Sequence, residues 1–234
     1  MLAGNGVVIL LDVDNTLLDN DRFAADLGDR LTELFGAAER ERYWAIFAAL
    51  RSELGYADYL TTLQKFRVGI ANDPKLLLMS GFLLEYPFAE HLYPRALETV
   101  AHLSTLGQTV ILSDGDIVFQ PRKIQRSGLS RAVEDRVIVG LHKERSFDHT
   151  RRRFPATHYL MVDDKPQLLT AMKRLLRTEL TTVFVRQGHY AAESRDAAFD
   201  PPPDVCIDHI ADLLAGDVVP RVRAGGSGTG QVGS

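Results

Sequence analysis

The chain has 234 residues, 45% of them hydrophobic and 25% charged, and these ordinary globular proportions exclude a wholly disordered protein. A net charge of -4 argues against a nucleic-acid-binding protein that works by bulk electrostatics. The single cysteine, Cys206, excludes an internal disulfide bond and a cysteine-rich zinc fold, and it fits a reducing cytoplasm.

The first apolar run, Val7 to Leu11, is far shorter than the roughly 20 apolar residues that a membrane span needs. The segment before it carries no lysine or arginine, so it lacks the basic start of a signal peptide. We therefore expect a cytoplasmic protein with neither a membrane partner nor a nucleic-acid partner.

Short apolar runs recur along the chain, at residues 7–11, 109–112, 159–162 and 181–185. Runs of this length, rich in valine and isoleucine, are typical of strands that are buried on both faces of a parallel sheet. Helical patterns opened by Pro94 and by Pro166 separate the later runs, and a strand at 205–207 and a helix at 210–214 follow. This alternation predicts a doubly wound α/β core with a parallel sheet.

The stretch between the first two predicted strands is much longer than the dozen or so residues that a crossover needs. Residues from about Asp19 to Pro87 show helical apolar periodicity and no strand-like run. We therefore predict a helical cap inserted at 19–87, a core made of residues 1–18 and 88–216, and a flexible tail at 217–234. We expect the cap to act as a lid over a site rather than as a cover for one sheet edge.

Polar groups follow three of the predicted strands directly: Asp12, Asp14 and Thr16 after the first, Ser113 and Asp114 after the second, and Asp163 and Asp164 after the third. Because ligands bind at the carboxyl ends of parallel strands, we expect these groups to meet at one edge of the sheet. Four crowded carboxylates repel one another, and a cation relieves that repulsion. Oxygen ligands without histidine or cysteine favour magnesium over zinc or copper.

The segment Asp12-Val13-Asp14-Asn15-Thr16, placed after an apolar strand, resembles the Asp-x-Asp-x-Thr signature of the haloacid-dehalogenase-like hydrolases. Ser113 is similar to the second motif of that family, and Asp163-Asp164 is similar to the acidic pair of the fourth motif. Lys143 lies where the family carries its third-motif lysine or arginine, with Arg145 as the alternative. The resemblance covers roughly residues 7 to 215, and an insertion between the first two motifs is where the helical-cap members, subclass I, carry their cap.

The resemblance implies that Asp12 is a nucleophile that forms an aspartyl-phosphate. It also implies that Asp14 protonates the leaving oxygen and later deprotonates the attacking water. The resemblance further implies that Lys143 anchors Asp12 and the phosphate. It assigns the binding of the phosphoryl group to Thr16, Ser113 and Asp114. It also implies that Mg²⁺ is held by Asp12, Asp163, Asp164 and the backbone carbonyl of Asp14.

The function that this resemblance implies is a magnesium-dependent phosphatase, a hydrolase acting on a small phosphorylated metabolite. The alternatives are a phosphomutase of the beta-phosphoglucomutase type, a metal-independent 2-haloacid dehalogenase and a non-catalytic binding protein of the same fold. Asp14 favours phosphoryl transfer, because the dehalogenases of the family lack that residue. A phospho-acceptor module would also gather acidic residues at strand ends, but it would not need the long insertion. The identity of the substrate and the oligomeric state stay open.

Overall fold

The computed structural model of the protein describes residues 6–194 and 197–215. The predicted flexible tail at 217–234 lies outside these residues. Within them the chain forms one sheet of six parallel strands: β1 (Val7–Leu11), β2 (Gln108–Asp114), β3 (Val137–Gly140), β4 (His158–Asp163), β5 (Leu180–Val185) and β6 (Val205–Ile207). The strand order is β3-β2-β1-β4-β5-β6, which confirms the predicted doubly wound α/β fold.

Strand β1 explains why the apolar runs are unbroken. Ile9 and Leu11 pack into one hydrophobic cluster, and Val8 and Leu10 pack into a second cluster on the other side of the sheet. Successive side chains of a strand point to opposite faces, so both faces of this central strand are buried and no polar residue fits between them.

Helices cover the two faces of the sheet in the segments between the strands: α5 (Ala96–Ser104), α6 (Phe119–Arg126), α7 (Leu129–Ala132), α8 (Lys143–Arg153), α9 (Pro166–Leu176) and α10 (Gly188–Glu193). Helix α9 begins at the predicted proline, which suits a first helical position because its missing N–H has no partner there. The last helix predicted at 210–214 is present and forms a 3-10 helix.

Between β1 and α5 the chain forms only helices: α1 (Asn20–Phe35), α2 (Ala37–Leu54), α3 (Tyr59–Phe66) and α4 (Lys75–Glu85), followed by a 3-10 turn at Phe88–His91. Two of them begin at aspartates whose side chains accept a hydrogen bond from a backbone amide of the first turn. Asp19 caps α1 through the amide of Arg22, and Asp58 caps α3 through the amide of Thr61. The helical character of the insertion agrees with its apolar periodicity. Its division from the core at residues 19 and 87 remains a prediction.

The two chain segments that connect the insertion to the sheet run side by side. The amide of Asp19 donates to the carbonyl of His91, and the amide of Tyr93 donates to the carbonyl of Leu17, both at 2.9 Å. Leu18 and Leu92 form an isolated antiparallel bridge between these hydrogen bonds. The insertion therefore leaves and returns through one narrow, paired connection beside the carboxyl end of β1.

Aromatic rings join the insertion to the core. Phe23 of α1 lies at the centre of the group, with its ring centroid 5.1 Å from Tyr59, 4.9 Å from Tyr86, 5.3 Å from Phe88 and 5.6 Å from Phe119 of the core helix α6. All five side chains are at most 4% exposed. Such pairs stabilise a structure beyond the area that they bury.

None of the helices in the described ranges has the length and the apolar character needed to cross a bilayer.

Asp204, the residue before the edge strand β6, joins that strand to β5 and α9 through hydrogen bonds. One carboxylate oxygen accepts hydrogen bonds from the Thr182 amide (2.8 Å), the Thr182 hydroxyl (2.9 Å) and the Lys173 ammonium (2.8 Å). Burial by itself would raise the pKa of Asp204, but the hydrogen bonds from Lys173 and Thr182 outweigh it and lower the pKa. Asp204 thus stabilises the fold above its unfolded pKa of about 3.9, and that stabilisation is lost as the pH falls through the lower folded pKa.

We expect Asp204→Asn to lower the free energy of unfolding at pH 7 by about 1–2 kcal/mol, because a charged acceptor is lost at a half-exposed site. Urea titrations of both proteins should show this difference shrinking towards acid pH, where the wild-type carboxylate is protonated as well. The matched control is Asp208→Asn, which breaks an exposed ion pair with Arg186 and should change the free energy by less than about 1 kcal/mol. Equal effects of the two variants at pH 7 would contradict the role given to Asp204.

Candidate active site

The candidate site lies at the carboxyl ends of β1 and β4, where the strand order reverses. From β1 the next strands lie on one side of the sheet, and β4, β5 and β6 lie on the other. Leu11 pairs with Val162, and the amide of Asp12 donates to the Val162 carbonyl at 3.0 Å. This register sets Asp12 beside Asp163 in the crevice where ligands bind in open α/β sheets.

Asp12, Asp163 and Asp164 form a buried acidic cluster. Each offers a carboxylate oxygen, and these oxygens lie within 4.8 Å of one another. The three side chains are 3%, 0% and 0% exposed. Burial raises the pKa of Asp163, and burial together with the charges of Asp163 and Asp12 raises the pKa of Asp164 well above its usual range.

Lys143 supplies a positive charge to this cluster. It begins helix α8, it is 1% exposed, and its ammonium donates to Asp12 and, at 2.9 Å, to Asp163. Burial alone would lower its pKa, but the carboxylates of Asp12 and Asp163 outweigh that effect and raise it. The side chain of Arg145, the alternative basic residue, is 76% exposed and pairs with Glu144. The geometry thus brings Lys143, and not Arg145, to the acidic cluster.

Asp164 is better suited than Asp163 to bind a metal ion. Asp163 already accepts hydrogen bonds on both oxygens, from Lys143 and from the amide of Lys165. Both oxygens of Asp164 are buried and have no hydrogen-bond partner among the described residues. A buried carboxylate without partners is costly, and a divalent cation bound by oxygen ligands would supply the missing interaction. The donor set therefore fits Mg²⁺.

The turn after β1 explains how the motif is held. Asn15 has a left-handed backbone (φ 59°), which asparagine tolerates, and its side-chain oxygen accepts from the amides of Asn20 (3.0 Å) and Asp21 (3.1 Å) at the start of α1. A Cβ on Gly188 would lie 2.5 Å from Asn15, so only glycine allows α10 to approach this turn. The hydroxyl of Thr16 donates to Asp12 at 3.3 Å.

The side chain of Asp14 lies apart from the acidic cluster. One carboxylate oxygen accepts from the ammonium of Lys123 at 2.7 Å, and the other accepts from the amide of Gln120 at 3.2 Å. The same Gln120 nitrogen donates to the hydroxyl of Ser113 at 2.8 Å. The predicted metal contact of Asp14 is made by its backbone carbonyl and does not require its side chain. It therefore stays a prediction, although the side chain pairs with Lys123 and Gln120.

Asp114 follows Ser113 on β2, and one of its oxygens is buried without a partner among the described residues. Burial raises its pKa, and Asp12 and Asp163 add to that effect while Lys143 opposes it. An ionised carboxylate repels phosphate, so its predicted part in phosphate binding fits its backbone amide and not its side chain.

Sequence reasoning did not single out Lys123, Gln120 or Lys165. Lys165 directly follows the acidic pair. Burial would lower its pKa, but Asp12 and the acidic pair raise it. Gln120 and Lys123 are three residues apart on one face of α6, in the segment after the second motif. Both are buried together with Phe119 and Ile124, so their signal was the presence of two polar residues on the apolar face of an amphipathic helix.

A cavity of about 320 Å³ opens between the insertion and the sheet edge. Asp14, Asp114 and Lys165 line it from the sheet side. Residues of the insertion and of α10 form the opposite walls, and half of them carry aromatic rings: Trp44, Phe47, Tyr56, Tyr59, His189 and Tyr190. Arg51 lines the same walls. A site with acidic and basic groups at its floor and aromatic walls suits a small polar ligand that carries an apolar part.

The sheet order, the inserted helices and the buried cluster of aspartates and lysine define a doubly wound α/β protein with an acidic candidate site at the strand switch point. A sequence profile of haloacid dehalogenase-like hydrolases matches residues 7–175. The chain belongs to the haloacid dehalogenase-like hydrolase family. No curated protein sequence matches the chain.

Solved structures agree with this assignment. A haloacid dehalogenase-like hydrolase from Burkholderia xenovorans LB400 is 52% identical, with a TM-score of 0.85 over 91% of this chain and 97% of that chain. The HAD hydrolase YfnB from Bacillus subtilis, solved bound to magnesium, has 17% identity and a TM-score of 0.57 over 90% and 97%. An L-2-haloacid dehalogenase from Xanthobacter autotrophicus has 19% identity and a TM-score of 0.59 over 93% and 98%. The last two likenesses show a shared fold alone.

We expect Asp164→Asn to raise the free energy of unfolding measured with a chelator by about 1–3 kcal/mol, because it removes a buried carboxylate that has no partner among the described residues and that the charges of Asp163 and Asp12 repel. Millimolar Mg²⁺ should raise the melting temperature of the wild type, since a ligand that binds only the folded state stabilises it. The same addition should leave the variant unchanged.

The control is Asp29→Asn, an exposed substitution on α1 that should behave like the wild type with and without Mg²⁺. An Mg²⁺-dependent shift that survives in Asp164→Asn would move the metal away from this residue.

Proposed function

We propose that the protein is a magnesium-dependent phosphatase that hydrolyses a small phosphorylated metabolite through an aspartyl-phosphate on Asp12. The observation that carries the proposal is the pair of unpartnered Asp164 oxygens near Asp12, together with the ion pair between the ammonium of Lys143 and Asp12. A phosphate dianion repels a carboxylate, so a nucleophilic aspartate needs positive charge placed in advance around its reacting oxygen. In this acidic cluster Lys143 provides one positive charge beside Asp12, and the free oxygens of Asp164 can bind a cation that provides more.

In the proposed reaction a carboxylate oxygen of Asp12 attacks phosphorus, and the bond to the leaving alkoxide breaks. Lys143 holds the orientation of Asp12 and neutralises part of the charge that builds on the phosphoryl oxygens. The hydroxyl of Thr16 keeps the second Asp12 oxygen in place, and Ser113 offers a hydroxyl to the phosphoryl group. Water then hydrolyses the acyl phosphate, which restores Asp12 and releases phosphate.

Asp14 is proposed to move the protons. It lines the cavity, so it can reach the leaving oxygen of a bound ester, whereas Asp12 is buried. In the first step it would give a proton to the departing alkoxide, and in the second step it would take a proton from the attacking water. Two carboxylates two residues apart thus take two roles, because one lies beside Lys143 and the other at the cavity wall.

Asp12, Asp164 and the backbone carbonyl of Asp14 would hold Mg²⁺, and Asp163 would support them through its hydrogen bonds to Lys143 and to the Lys165 amide. When bound, the metal would supply Lewis-acid stabilisation of the phosphoryl oxygens. Nucleophilic attack and proton transfer are assigned to the side chains of Asp12 and Asp14.

The cavity supports a small substrate. Its volume of about 320 Å³ lies near the lower end of the range of ligand pockets, about 300–1,000 Å³. The helices of the insertion form one of its walls, which fits a lid that excludes bulk water during the reaction.

The cytoplasmic location and the lack of nucleic-acid and membrane partners remain predictions from the composition of the chain.

The dehalogenase alternative receives no specific support from the site. Five dehalogenase structures that match this chain have 17–21% identity to it, so these likenesses show the fold alone. Asp14, with the two side chains that hold it, is built into this site and suits proton transfer to an alkoxide. Halide is a leaving group that needs no proton.

We expect the purified protein to release phosphate from one or more small phosphate monoesters, and EDTA should abolish that release until Mg²⁺ is restored. The same preparation should release no chloride from 2-chloropropionate, with or without metal. Chloride release that survives EDTA, without any phosphate release, would replace the phosphatase by a dehalogenase.

We further expect Asp12→Asn and Asp14→Asn to differ. Asp12→Asn removes the nucleophile, so turnover should fall to background. Asp14→Asn keeps the nucleophile but removes the base for water, so with an activated aryl phosphate the phosphoryl-enzyme should accumulate. Mass spectrometry after a rapid acid quench should find one added phosphoryl group in Asp14→Asn and none in Asp12→Asn. Equal labelling of both variants would contradict these roles.

A further inference from the structure

Lys123 of helix α6 is a buried lysine that the chemistry described so far does not use. Its side chain is 0% exposed. Its ammonium lies over three aromatic rings, 5.3 Å from the centroid of Phe119 and 5.9 Å from the centroids of Phe23 and Phe88. Lysine is rarely buried fully unless it is paired, so this position calls for a specific partner.

The partners of Lys123 connect the proposed proton carrier to the insertion. The ammonium donates to Asp14 at 2.7 Å and to the side-chain oxygen of Asn20, the first residue of α1, at 2.9 Å. Gln120, one turn earlier on α6, donates to the second oxygen of Asp14 at 3.2 Å. Both oxygens of the Asp14 carboxylate are therefore held by side chains of one helix.

The three rings restrict where the ammonium can lie, because they surround the lysine with apolar side chains and with the negative faces of aromatic systems. A desolvated ammonium that loses its carboxylate partner is strongly destabilised, so the charge holds Asp14 more firmly than an exposed lysine would. The Phe23 ring and Asn20 belong to the insertion, whereas Lys123 and Phe119 belong to α6. The position of the Asp14 carboxylate thus depends on how the insertion packs on the core.

We propose that Lys123 is a positioning residue that fixes the Asp14 carboxylate for proton transfer and joins it to the base of the inserted helices. The inference rests on the proposed phosphatase function, in which Asp14 transfers the protons. Lys123 itself does not line the cavity wall that Asp14 lines. It acts on the reaction through Asp14.

The test compares Lys123→Met with the wild type. Methionine fills similar space within the aromatic rings but removes the charge and the hydrogen bonds. The kinetic substrates are phenyl phosphate, whose leaving group needs a proton, and 2,4-dinitrophenyl phosphate, whose leaving group does not. We expect the rate constant for phosphorylation of Asp12 by phenyl phosphate, measured in a single turnover with a rapid acid quench, to fall by about a hundredfold, the lower part of what positioned acid–base groups contribute. The fall with the dinitrophenyl ester should be much smaller, because its leaving group needs no proton. The later hydrolysis of the phosphoryl-enzyme also uses Asp14 and should slow equally after either ester.

The matched control is Lys173→Met, the same substitution at an ion pair with Asp204 on the far part of the sheet. It should lower thermal stability without changing the ratio of the phosphorylation rates with the two esters. Lys123→Gln keeps a donor and should restore part of the phenyl phosphate rate. This variant also carries the kinetic measurement if Lys123→Met does not fold. An equal fall of the phosphorylation rate with both esters, or no fall at all, would overturn the proposal.

A crystal structure of the Lys123 variant provides a readout that does not depend on activity. We expect the Asp14 carboxylate to rotate away from its position or to lose a single conformation, while Asp12 and Lys143 stay in place. An Asp14 side chain that keeps its position without Lys123 would overturn the inference. Absence of phosphatase activity in the wild type would instead reject the proposed function, and the crystal structure would still decide whether Lys123 positions Asp14.

Discussion

The structure depends on the convergence of carboxylates at the carboxyl edge of a parallel sheet. Strand register sets Asp12 beside Asp163, and the chain direction then adds Asp164, all of them buried. Buried like charges raise one another's pKa values and oppose folding unless positive charge compensates them. Lys143 compensates part of that charge, and the unpartnered oxygens of Asp164 indicate where a cation would compensate the rest.

Two buried lysines divide the acidic residues into two groups. Lys143, from helix α8, holds the nucleophile candidate Asp12, whereas Lys123, from helix α6, holds Asp14. The two aspartates are only two residues apart, but Asp12 directly follows strand β1, whereas Asp14 forms an isolated bridge with Leu18 in the turn beyond it. The local environment, and not the type of side chain, therefore separates a carboxylate suited to attack from one suited to proton transfer.

The insertion contributes to the site at two levels. At its base, paired backbone segments and the Phe23 cluster join it to helix α6, so its packing reaches the groups that hold Asp14. Farther out, residues such as Trp44 and Arg51 form the wall of the cavity opposite the sheet edge. Variation of those outer residues would change which substrate fits without altering the charges around Asp12. Functional residues often lie in this way on segments that a rigid core positions.

By itself the sequence determined the strand ends, the helical insertion and the residues of the acidic cluster, because apolar runs and polar strand ends are local patterns with fixed periods. It did not reveal β3, since four half-buried residues give too short a pattern. It also placed Asp14 with the other carboxylates and missed its pairing with Lys123, 109 residues away along the chain. Only the tertiary structure decided that pairing, because local periodicity gives which face a side chain occupies but not which distant element packs against it.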